Sequence, residues 1–227
     1  MEYVELGRAT SPRGELVLRE RRAERGPGVV ELRANGVYVM DSAETGTEQA
    51  LAATALALVE EPREVLVGGL GLGFTMHAVL ADARVHRCTV VEIEPALVGW
   101  MRDGTVPHGP GFLADRRLRL VVADVGQALA EAGAASYDLV LLDVDNGPGN
   151  LVHTANASLY DVPFLRIVRH VLRPGGVAVV WSAARAPGLE QAMGQVFDTT
   201  EERALDVRLQ GRAEQYWLYV ARVTSKG

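Results

Sequence analysis

The stretch that decides the fold is Glu64-Val65-Leu66-Val67-Gly68-Gly69-Leu70-Gly71-Leu72-Gly73, followed by the apolar-rich run Phe74 to Ala81. Three apolar residues, Val65 to Val67, stand before the glycines and predict a buried strand, and the run after the glycines predicts a helix. Glycine permits tight turns and lets the backbone approach a ligand where a Cβ would collide. A strand, a glycine loop and a helix in this order indicate an α/β domain with a ligand site at the loop.

Strands and helices alternate from this unit to the end of the chain. The apolar run YDLVLLD at 137–143 is typical of a strand that is covered on both faces. The pattern predicts a doubly wound, Rossmann-like, mostly parallel seven-stranded sheet that ends in a C-terminal antiparallel hairpin. The predicted strands are 64–69, 88–93, 118–123, 137–143, 177–182, 201–209 and 215–223, and the helices are 74–81, 95–102, 125–132, 162–172 and 188–197.

The sequence before the glycine loop has a different pattern. Alternating runs at 15–22, 29–33 and 37–41 predict strands, and Asn35-Gly36 is a strong signal for a tight hairpin turn. An alanine-rich helix is predicted at 47–60. We therefore expect a small N-terminal β-hairpin unit at 1–45 and an α/β domain at 46–227.

Acidic residues stand at two further strand ends. Glu92 comes nineteen residues after Gly73, where a carboxylate can accept hydrogen bonds from both ribose hydroxyls. Asp124 ends the next strand, where it can receive the amine of adenine or simply cap the following helix. Together with Gly69, Gly71 and Gly73, these residues predict a nucleoside site. The spacing Gly69-x-Gly71-x-Gly73 differs from the G-x-G-x-x-G of dinucleotide-binding dehydrogenases.

Several segments resemble the spermidine synthase (polyamine aminopropyltransferase) family within the class I S-adenosylmethionine-dependent methyltransferase fold. VLVGGLGLG is similar to that family's VLIIGGGDGG, and VVEIEPALV to its ribose-binding segment. VLLDVDNGPGNLVHTANASLY resembles its D-S-S-D-P loop, and LRPGG its L-K-E-D-G turn. The resemblance spans about residues 16 to 223.

The resemblance implies a transferase that binds S-adenosylmethionine or its decarboxylated form and passes an alkyl group, such as aminopropyl, to an amine. It implies that Asp143 is the catalytic carboxylate and that Asp145 helps to hold an ammonium group. The expected reaction needs such a carboxylate. An amine that attacks a carbon bonded to a sulfonium must lose a proton and be held in line with the carbon–sulfur bond.

The chain also departs from that family's pattern. The aspartate of GGGDGG falls on Gly71, the gate tyrosine falls near Thr47, and the neighbouring carboxylate falls near Glu48 or Gln49. Two alternatives therefore stay open: a small-molecule S-adenosylmethionine-dependent methyltransferase, and a nucleoside-binding protein without catalysis.

Composition excludes other classes of function. A net charge of −6 gives no basic surplus for nucleic acid, and no stretch reaches the roughly 18 apolar residues that span a bilayer. The histidines and the single Cys88 lack metal-ligand spacing, and we expect no metal. A lone cysteine and no signal-like N-terminus favour a cytoplasmic protein. The expected partner is a small-molecule amine, and the family resemblance is compatible with a homodimer.

Overall fold

A computed structural model of the protein describes residues 2–22, 26–144, 146–149, 151–209 and 212–225. The first four strands form an antiparallel sheet in the order β1-β2-β3-β4, which we call the N-terminal sheet. Asn35 and Gly36 both have positive φ, as a tight hairpin turn requires. The strand β1 was not among the predicted ones, because its polar and glycine-containing sequence lacks a clean alternation. The strands are β1 (Glu2–Ser11), β2 (Gly14–Arg22), β3 (Val29–Ala34) and β4 (Val37–Asp41).

The second sheet has seven strands in the order β10-β11-β9-β8-β5-β6-β7. Five neighbouring strands from β7 to β9 are parallel, and β10 and β11 form the antiparallel hairpin at the edge. The predicted fold class is therefore confirmed. The strands are β5 (Glu64–Gly68), β6 (Arg87–Glu92), β7 (Leu118–Val122), β8 (Tyr137–Leu142), β9 (Leu172–Ser182), β10 (Thr199–Leu209) and β11 (Arg212–Arg222).

Helices cover both faces of this sheet. The helices are α1 (Gly46–Ala57), α2 (Phe74–Leu80), α3 (Pro95–Asp103), α4 (Gly109–Phe112), α5 (Val125–Glu131), α6 (Val162–Val171) and α7 (Pro187–Gly194), with a 3-10 helix at Thr154–Tyr160. One core joins the odd-numbered residues of the central strands, such as Leu141 and Val179, to the N-terminal sheet. The other core joins even-numbered residues, such as Leu142 and Val180, to α5, α6 and α7.

Two local predictions were wrong. The glycine- and proline-rich stretch 104–111 predicts a loop, but α4 begins within it, and Phe112 of α4 packs against the ring of Phe74. The predicted turn at 173–176 lies inside β9: Leu172 pairs with Tyr137 and Val177 with Leu139, so the four residues between them bulge out of the ladder. Gly175 has a φ of +82° there, which explains why this bulge favours glycine.

The strand order reverses between β5 and β8, because the chain runs from β5 towards β7 on one side and towards β9 on the other. In open α/β sheets a crevice forms beyond the carboxyl ends of the strands at this point. The loop that follows β5 and the residues that follow β8 meet there. The division of the chain at residues 45 and 46 stays a prediction.

Candidate functional site

A cavity of about 540 Å³ opens at the carboxyl ends of the parallel strands. The N-terminal sheet, the start of α1 and the ends of β5, β6, β8 and β9 all contribute to its walls. Of the predicted site residues, Gly69, Gly71, Glu92, Asp124 and Asp143 line it, whereas Gly73 does not. Asp145 lies outside the described residues. The fold thus brings together residues that are up to 74 positions apart in sequence, from Gly69 to Asp143.

The glycine loop has a conformation that glycine favours at three positions. The φ angles of Gly69, Gly71 and Gly73 are +92°, +50° and +88°. A Cβ on Gly69 would lie 2.1 Å from the backbone oxygen of Asp143, and one on Gly71 would lie 2.6 Å from Sδ of Met40. From the sequence, these glycines are expected to let a ligand approach the backbone closely. The structure adds that protein atoms already occupy the space beside two of them.

Glu92, at the end of β6, fastens this loop. Its Oε2 accepts a hydrogen bond from the backbone N–H of Leu70 at 2.9 Å, and its Oε1 accepts one from the N–H of Glu94 at 2.8 Å. Burial raises the pKa of Glu92, and the two N–H donors oppose that rise. A carboxylate has about four acceptor positions, so these two bonds leave capacity for hydroxyl donors from the cavity.

Asp124 caps the next helix. Its Oδ1 accepts a hydrogen bond from the backbone N–H of Gln127 at 3.0 Å, and the residue is exposed at the mouth of the cavity. The capping role considered from the sequence is therefore present. It is compatible with a second role, because the cap uses one of the two carboxylate oxygens.

Asp143 follows β8 and faces the N-terminal sheet side of the cavity. Leu142 pairs with Val180, so Asp143 and Trp181 stand level on neighbouring strands, about 5 Å apart along the hydrogen-bonding direction. Side chains alternate along a strand, and Leu141 and Val179 point to the N-terminal sheet side. Asp143 and Trp181 therefore share that side, where the ring of Trp181 meets that of Tyr216 edge to face at 5.1 Å.

Two carboxylates, of Glu48 and Asp143, line this end of the cavity. Oδ2 of Asp143 accepts a hydrogen bond from Oγ1 of Thr75 at 2.6 Å, and Oε2 of Glu48 accepts one from Oγ1 of Thr47 at 2.8 Å. Burial raises the pKa of Asp143, and the hydrogen bond from Thr75 opposes the rise. Burial, with a further contribution from the charge of Asp143, raises the pKa of Glu48 to about 7. The site therefore combines acids that can hold a cation and exchange a proton near neutral pH.

The charge of the cavity wall is strongly negative. Among the described residues, six carboxylates and one guanidinium line it. That guanidinium, of Arg13, donates to Oδ1 of Asn156 at 2.9 Å and lies 3.6 Å from the carboxylate of Glu94. The wall suits a ligand that carries positive charge. The carboxylates are Glu44, Glu48, Glu92, Glu94, Asp124 and Asp143.

No group of three or more His, Cys, Asp or Glu side chains that could hold a metal ion occurs among the residues the structure describes. Within the same residues, no helix is long and apolar enough to cross a membrane.

Comparison of the chain with known proteins identifies the family to which it belongs. A sequence profile of the spermine/spermidine synthase domain matches residues 44–205, well over half of the 227 residues. The chain belongs to the spermine/spermidine synthase family. This membership confirms the resemblance found from the motifs, and it covers the glycine loop, Glu92, Asp124 and Asp143.

Individual relatives in this family carry two kinds of name. The chain is 34% identical over 144 residues to polyamine aminopropyltransferase 2 of Pseudomonas aeruginosa, covering 62% of this chain and 39% of the relative. It is 31% identical over 124 residues to putrescine N-methyltransferase 3 of Nicotiana tabacum, covering 54% of this chain and 30% of the relative. The chain thus spans less than half of the length of these two relatives.

Solved spermidine synthases share the fold. A spermidine synthase in complex with the transition state analogue AdoDATO superposes with a TM-score of 0.84 at 16% identity, over 98% of this chain and 74% of that one. The spermidine synthase of Thermotoga maritima gives a TM-score of 0.81 at 16% identity, with the same coverage.

Sequence reasoning missed several residues of this site in the spermine/spermidine synthase domain. Glu48 was singled out only as a position near the expected gate carboxylate, and Trp181, which packs against the core and also lines the cavity, was not assigned to the site. Tyr38 and Tyr216 were not considered, although both line the cavity. No local pattern marks them, because each reaches the cavity from a different element and only the packing of α1, β4, β9 and β11 brings them together.

Proposed function

We propose that this protein is an alkyl transferase that binds an adenosyl-sulfonium compound, S-adenosylmethionine or its decarboxylated form, and transfers an alkyl group to a small amine. The observation that carries the proposal is the meeting of Glu48 and Asp143 in the same cavity as the glycine loop and Glu92. Family membership and the names of the relatives support it.

The proposed nucleoside end of the cavity lies at β5, β6 and β7. Glu92 would receive the ribose hydroxyls on oxygens that the N–H groups of Leu70 and Glu94 already hold in place. Gly69 and Gly71 would form the floor, and the carboxylate of Asp124 would receive the adenine amine. The cavity volume of about 540 Å³ falls within the 300–1,000 Å³ typical of small-molecule sites.

The proposed acceptor end lies at Asp143. An adenosyl-sulfonium compound, when bound, supplies a carbon whose bond to a positively charged sulfur breaks to release a neutral thioether. The task left to the protein is to remove one proton from the ammonium group and to aim the nitrogen lone pair. Asp143 can accept that proton, since burial raises its pKa, and Thr75 fixes the position of Oδ2.

The overall reaction balances without a further reactant. One N–C bond forms and one C–S bond breaks, and the thioether leaves with the electron pair of the broken bond. The acceptor nitrogen loses one proton, which passes through the carboxylates to water. No acid is needed for the leaving group because it departs uncharged.

Transfer of a methyl group is the second candidate, and Gly71 is the observation that favours it. The resemblance places at this position the aspartate that holds the aminopropyl ammonium group. Here Sδ of Met40 lies 3.2 Å from the backbone N–H of Leu72 and blocks a side chain on Gly71. The anchor for an aminopropyl tail is therefore absent from this position, and an aspartate here would require the side chain of Met40 to move or to be shortened.

Calorimetry with S-adenosylmethionine, decarboxylated S-adenosylmethionine and methylthioadenosine tests the nucleoside site. We expect at least one of them to bind, and failure of all three would refute the proposal. Incubation of the bound donor with putrescine, read by mass, then separates the candidates: the product gains one methyl or one aminopropyl group. Tight nucleoside binding without any product would instead favour a binding protein that lacks catalysis.

The variant Asp143→Asn tests the catalytic assignment. It keeps the shape of the side chain and its hydrogen bond from Thr75, but it cannot accept a proton. We expect turnover to fall by a factor of about 10² or more, as for the loss of a general base, while methylthioadenosine affinity changes little. Wild-type turnover in this variant would show that Asp143 is not the base.

The double variant Met40→Ala with Gly71→Asp tests the donor assignment. Gly71→Asp alone should destabilise the loop, because its Cβ would collide with Sδ of Met40. Shortening Met40 as well should relieve the collision and raise the affinity for the decarboxylated donor relative to S-adenosylmethionine. Met40→Ala alone is the matched control. An unchanged ratio of the two affinities in the double variant would refute this account of donor choice.

We also propose that residues 1–45 and 46–227 are the two structural units of the chain.

A further inference from the structure

His108 connects the segment between α3 and α4 to the glycine loop. Its Nε2 lies 2.7 Å from the backbone oxygen of Leu72, which is 36 residues earlier in the chain. A carbonyl oxygen can only accept a hydrogen bond, so Nε2 carries the hydrogen and donates it. From the sequence, the histidines were considered only as metal ligands, and the contact with Leu72 is a finding of the structure.

The ring of His108 is held in this orientation by packing. Its centroid lies 5.0 Å from that of Phe74, the first residue of α2, and 4.6 Å from that of Phe112 in α4. The backbone beside it is also tightly packed, since a Cβ on Gly109 would lie 2.3 Å from the backbone oxygen of Met101 in α3. The position of the ring is therefore set by contacts with three helices.

The same packing explains why Gly73 does not line the cavity. A Cβ on Gly73 would lie 2.9 Å from Cε of Met101 and 3.3 Å from Cδ2 of Phe112, so this glycine faces α3 and α4. The glycine loop thus presents one side to the cavity and the other to these helices. His108 lies on the side of the helices and is not part of the cavity wall. It can therefore influence a bound nucleoside only through the loop.

The loop is fastened at neighbouring peptide groups by side chains from different elements. Glu92 of β6 accepts a hydrogen bond from the N–H of Leu70. The N–H of Leu72 points to Sδ of Met40 in β4 at 3.2 Å, and the oxygen of Leu72 accepts the hydrogen bond from His108. Glycine stands on both sides of Leu72, and glycine allows the backbone more conformations than any other residue. The contacts that hold Leu72 therefore decide which conformation the loop adopts.

Removal of the donor on His108 would leave the oxygen of Leu72 without this hydrogen bond in a buried place. Leu72 is fully buried, and a buried carbonyl group that loses its partner is unfavourable. The peptide group between Leu72 and Gly73 would then turn towards another donor, which the glycines permit. A nucleoside that binds one loop conformation loses apparent affinity in proportion to the molecules that leave that conformation.

We infer that His108 is a positioning residue for nucleoside binding, because its hydrogen bond to Leu72 holds the glycine loop in the conformation that receives the donor. This role rests on the proposed nucleoside site and goes beyond it by assigning a residue behind the loop, outside the cavity. Positioning and binding are reciprocal, so a bound nucleoside should in turn protect the hydrogen bond of His108.

Two substitutions separate the hydrogen bond of His108 from the packing of its ring. His108→Phe keeps an aromatic ring beside Phe74 and Phe112 but has no donor. His108→Gln lacks the ring but carries an amide N–H at a similar distance along the side chain, where it can donate to Leu72. His77→Phe is the matched control, because His77 is exposed and stacks on the ring of Phe112 at 3.9 Å.

The affinity of each full-length protein is measured by calorimetric titration with S-adenosylmethionine, its decarboxylated form and methylthioadenosine. For every nucleoside that the wild type binds, we expect affinity to fall about tenfold in His108→Phe, as for one lost hydrogen bond to a buried acceptor. In His108→Gln and His77→Phe it should stay within about twofold of the wild type. A role in packing alone predicts the opposite order, with His108→Gln weaker than His108→Phe.

A measurement on the wild type makes the test independent of how well the variants fold. Nuclear magnetic resonance of the imidazole nitrogens shows which nitrogen carries the hydrogen and how fast this hydrogen exchanges with water. For His108 we expect a hydrogen on Nε2 whose exchange slows when the nucleoside is added. The ring of the exposed His77 should show no such change.

Unchanged nucleoside affinity in His108→Phe, or exchange at Nε2 of His108 that the nucleoside does not slow, would overturn this role and leave the proposed function intact. A wild-type protein that binds none of the three nucleosides would refute the proposed nucleoside site together with the role of His108. Neither measurement involves turnover or an acceptor, so the result does not depend on which group is transferred.

Discussion

Replacing Glu48 by glutamine should make the protein more stable at pH 8 and leave its stability at pH 4.5 nearly unchanged. The pKa of this carboxyl group is about 7 in the folded protein and 4.5 in an unfolded chain. Between these values the folded state binds more protons, so stability falls as the pH rises through the window. Once Glu48 is ionised, the cost to the folded state is about 3 kcal/mol.

Glutamine avoids this cost. Its amide oxygen can still accept the hydrogen bond from Thr47, and the side chain carries no charge to repel Asp143. The free energy of unfolding of Glu48→Gln should therefore exceed that of the wild type by about 3 kcal/mol at pH 8 and by less than about 0.5 kcal/mol at pH 4.5.

Urea denaturation followed by circular dichroism at the two pH values measures this difference. The dependence of the free energy on urea concentration should be the same in both proteins, as expected if only the native carboxyl group differs. The exposed variant Glu60→Gln should follow the wild type at both pH values. A Glu48→Gln protein that is less stable than the wild type at pH 8 would refute the reasoning, because it would show that the ionised carboxylate is favourable in the fold.

Three further outcomes follow from the packing of the site. Gly69→Ala should destabilise the protein by more than about 2 kcal/mol in urea denaturation, because the added Cβ would lie 2.1 Å from the backbone oxygen of Asp143. As a control, Gly99→Ala lies in α3 with open space around it and should be neutral or stabilising. Thr75→Val removes the donor to Oδ2 of Asp143, so the acidic limb of the pH–rate profile should move to higher pH, and an unmoved limb would argue against Asp143 as the base. Cys88, whose pKa burial raises to about 12, should resist iodoacetamide at pH 8 until urea unfolds the protein, which mass spectrometry can follow; rapid labelling of the native protein would contradict its burial.

The order of elements could be predicted because each rests on a local signal. Asn35-Gly36 predicts a hairpin turn because both residues tolerate positive φ. The apolar runs before Gly68 and Asp143 predict strands that are covered on both faces. The site residues at strand ends followed from the same logic, because parallel strands deliver their carboxyl ends to one edge.

The acceptor end of the cavity could not be predicted in this way. Met40 approaches Gly71 from β4, Glu48 approaches Asp143 from α1, and Trp181 stands level with Asp143 only because β8 and β9 pair in that register. Each pair joins segments that are distant in sequence, and none of Met40, Glu48 and Trp181 carries a spacing that would mark it.

Glu92 illustrates how binding and folding can depend on the same atoms. Its two oxygens hold the N–H groups of Leu70 and Glu94, so a substitution there disturbs the glycine loop and the start of α3 together with any ribose contact. Loss of nucleoside binding in a Glu92 variant would thus follow from either cause. Glu48 and Asp143 are different, because their side-chain hydrogen bonds come from the hydroxyl groups of Thr47 and Thr75, and the backbone hydrogen bond to the carboxylate of Glu48 involves its own residue rather than another element. Isosteric amides at these two positions change charge and leave the frame in place, which makes them the residues at which the chemistry of the site can be separated from its architecture.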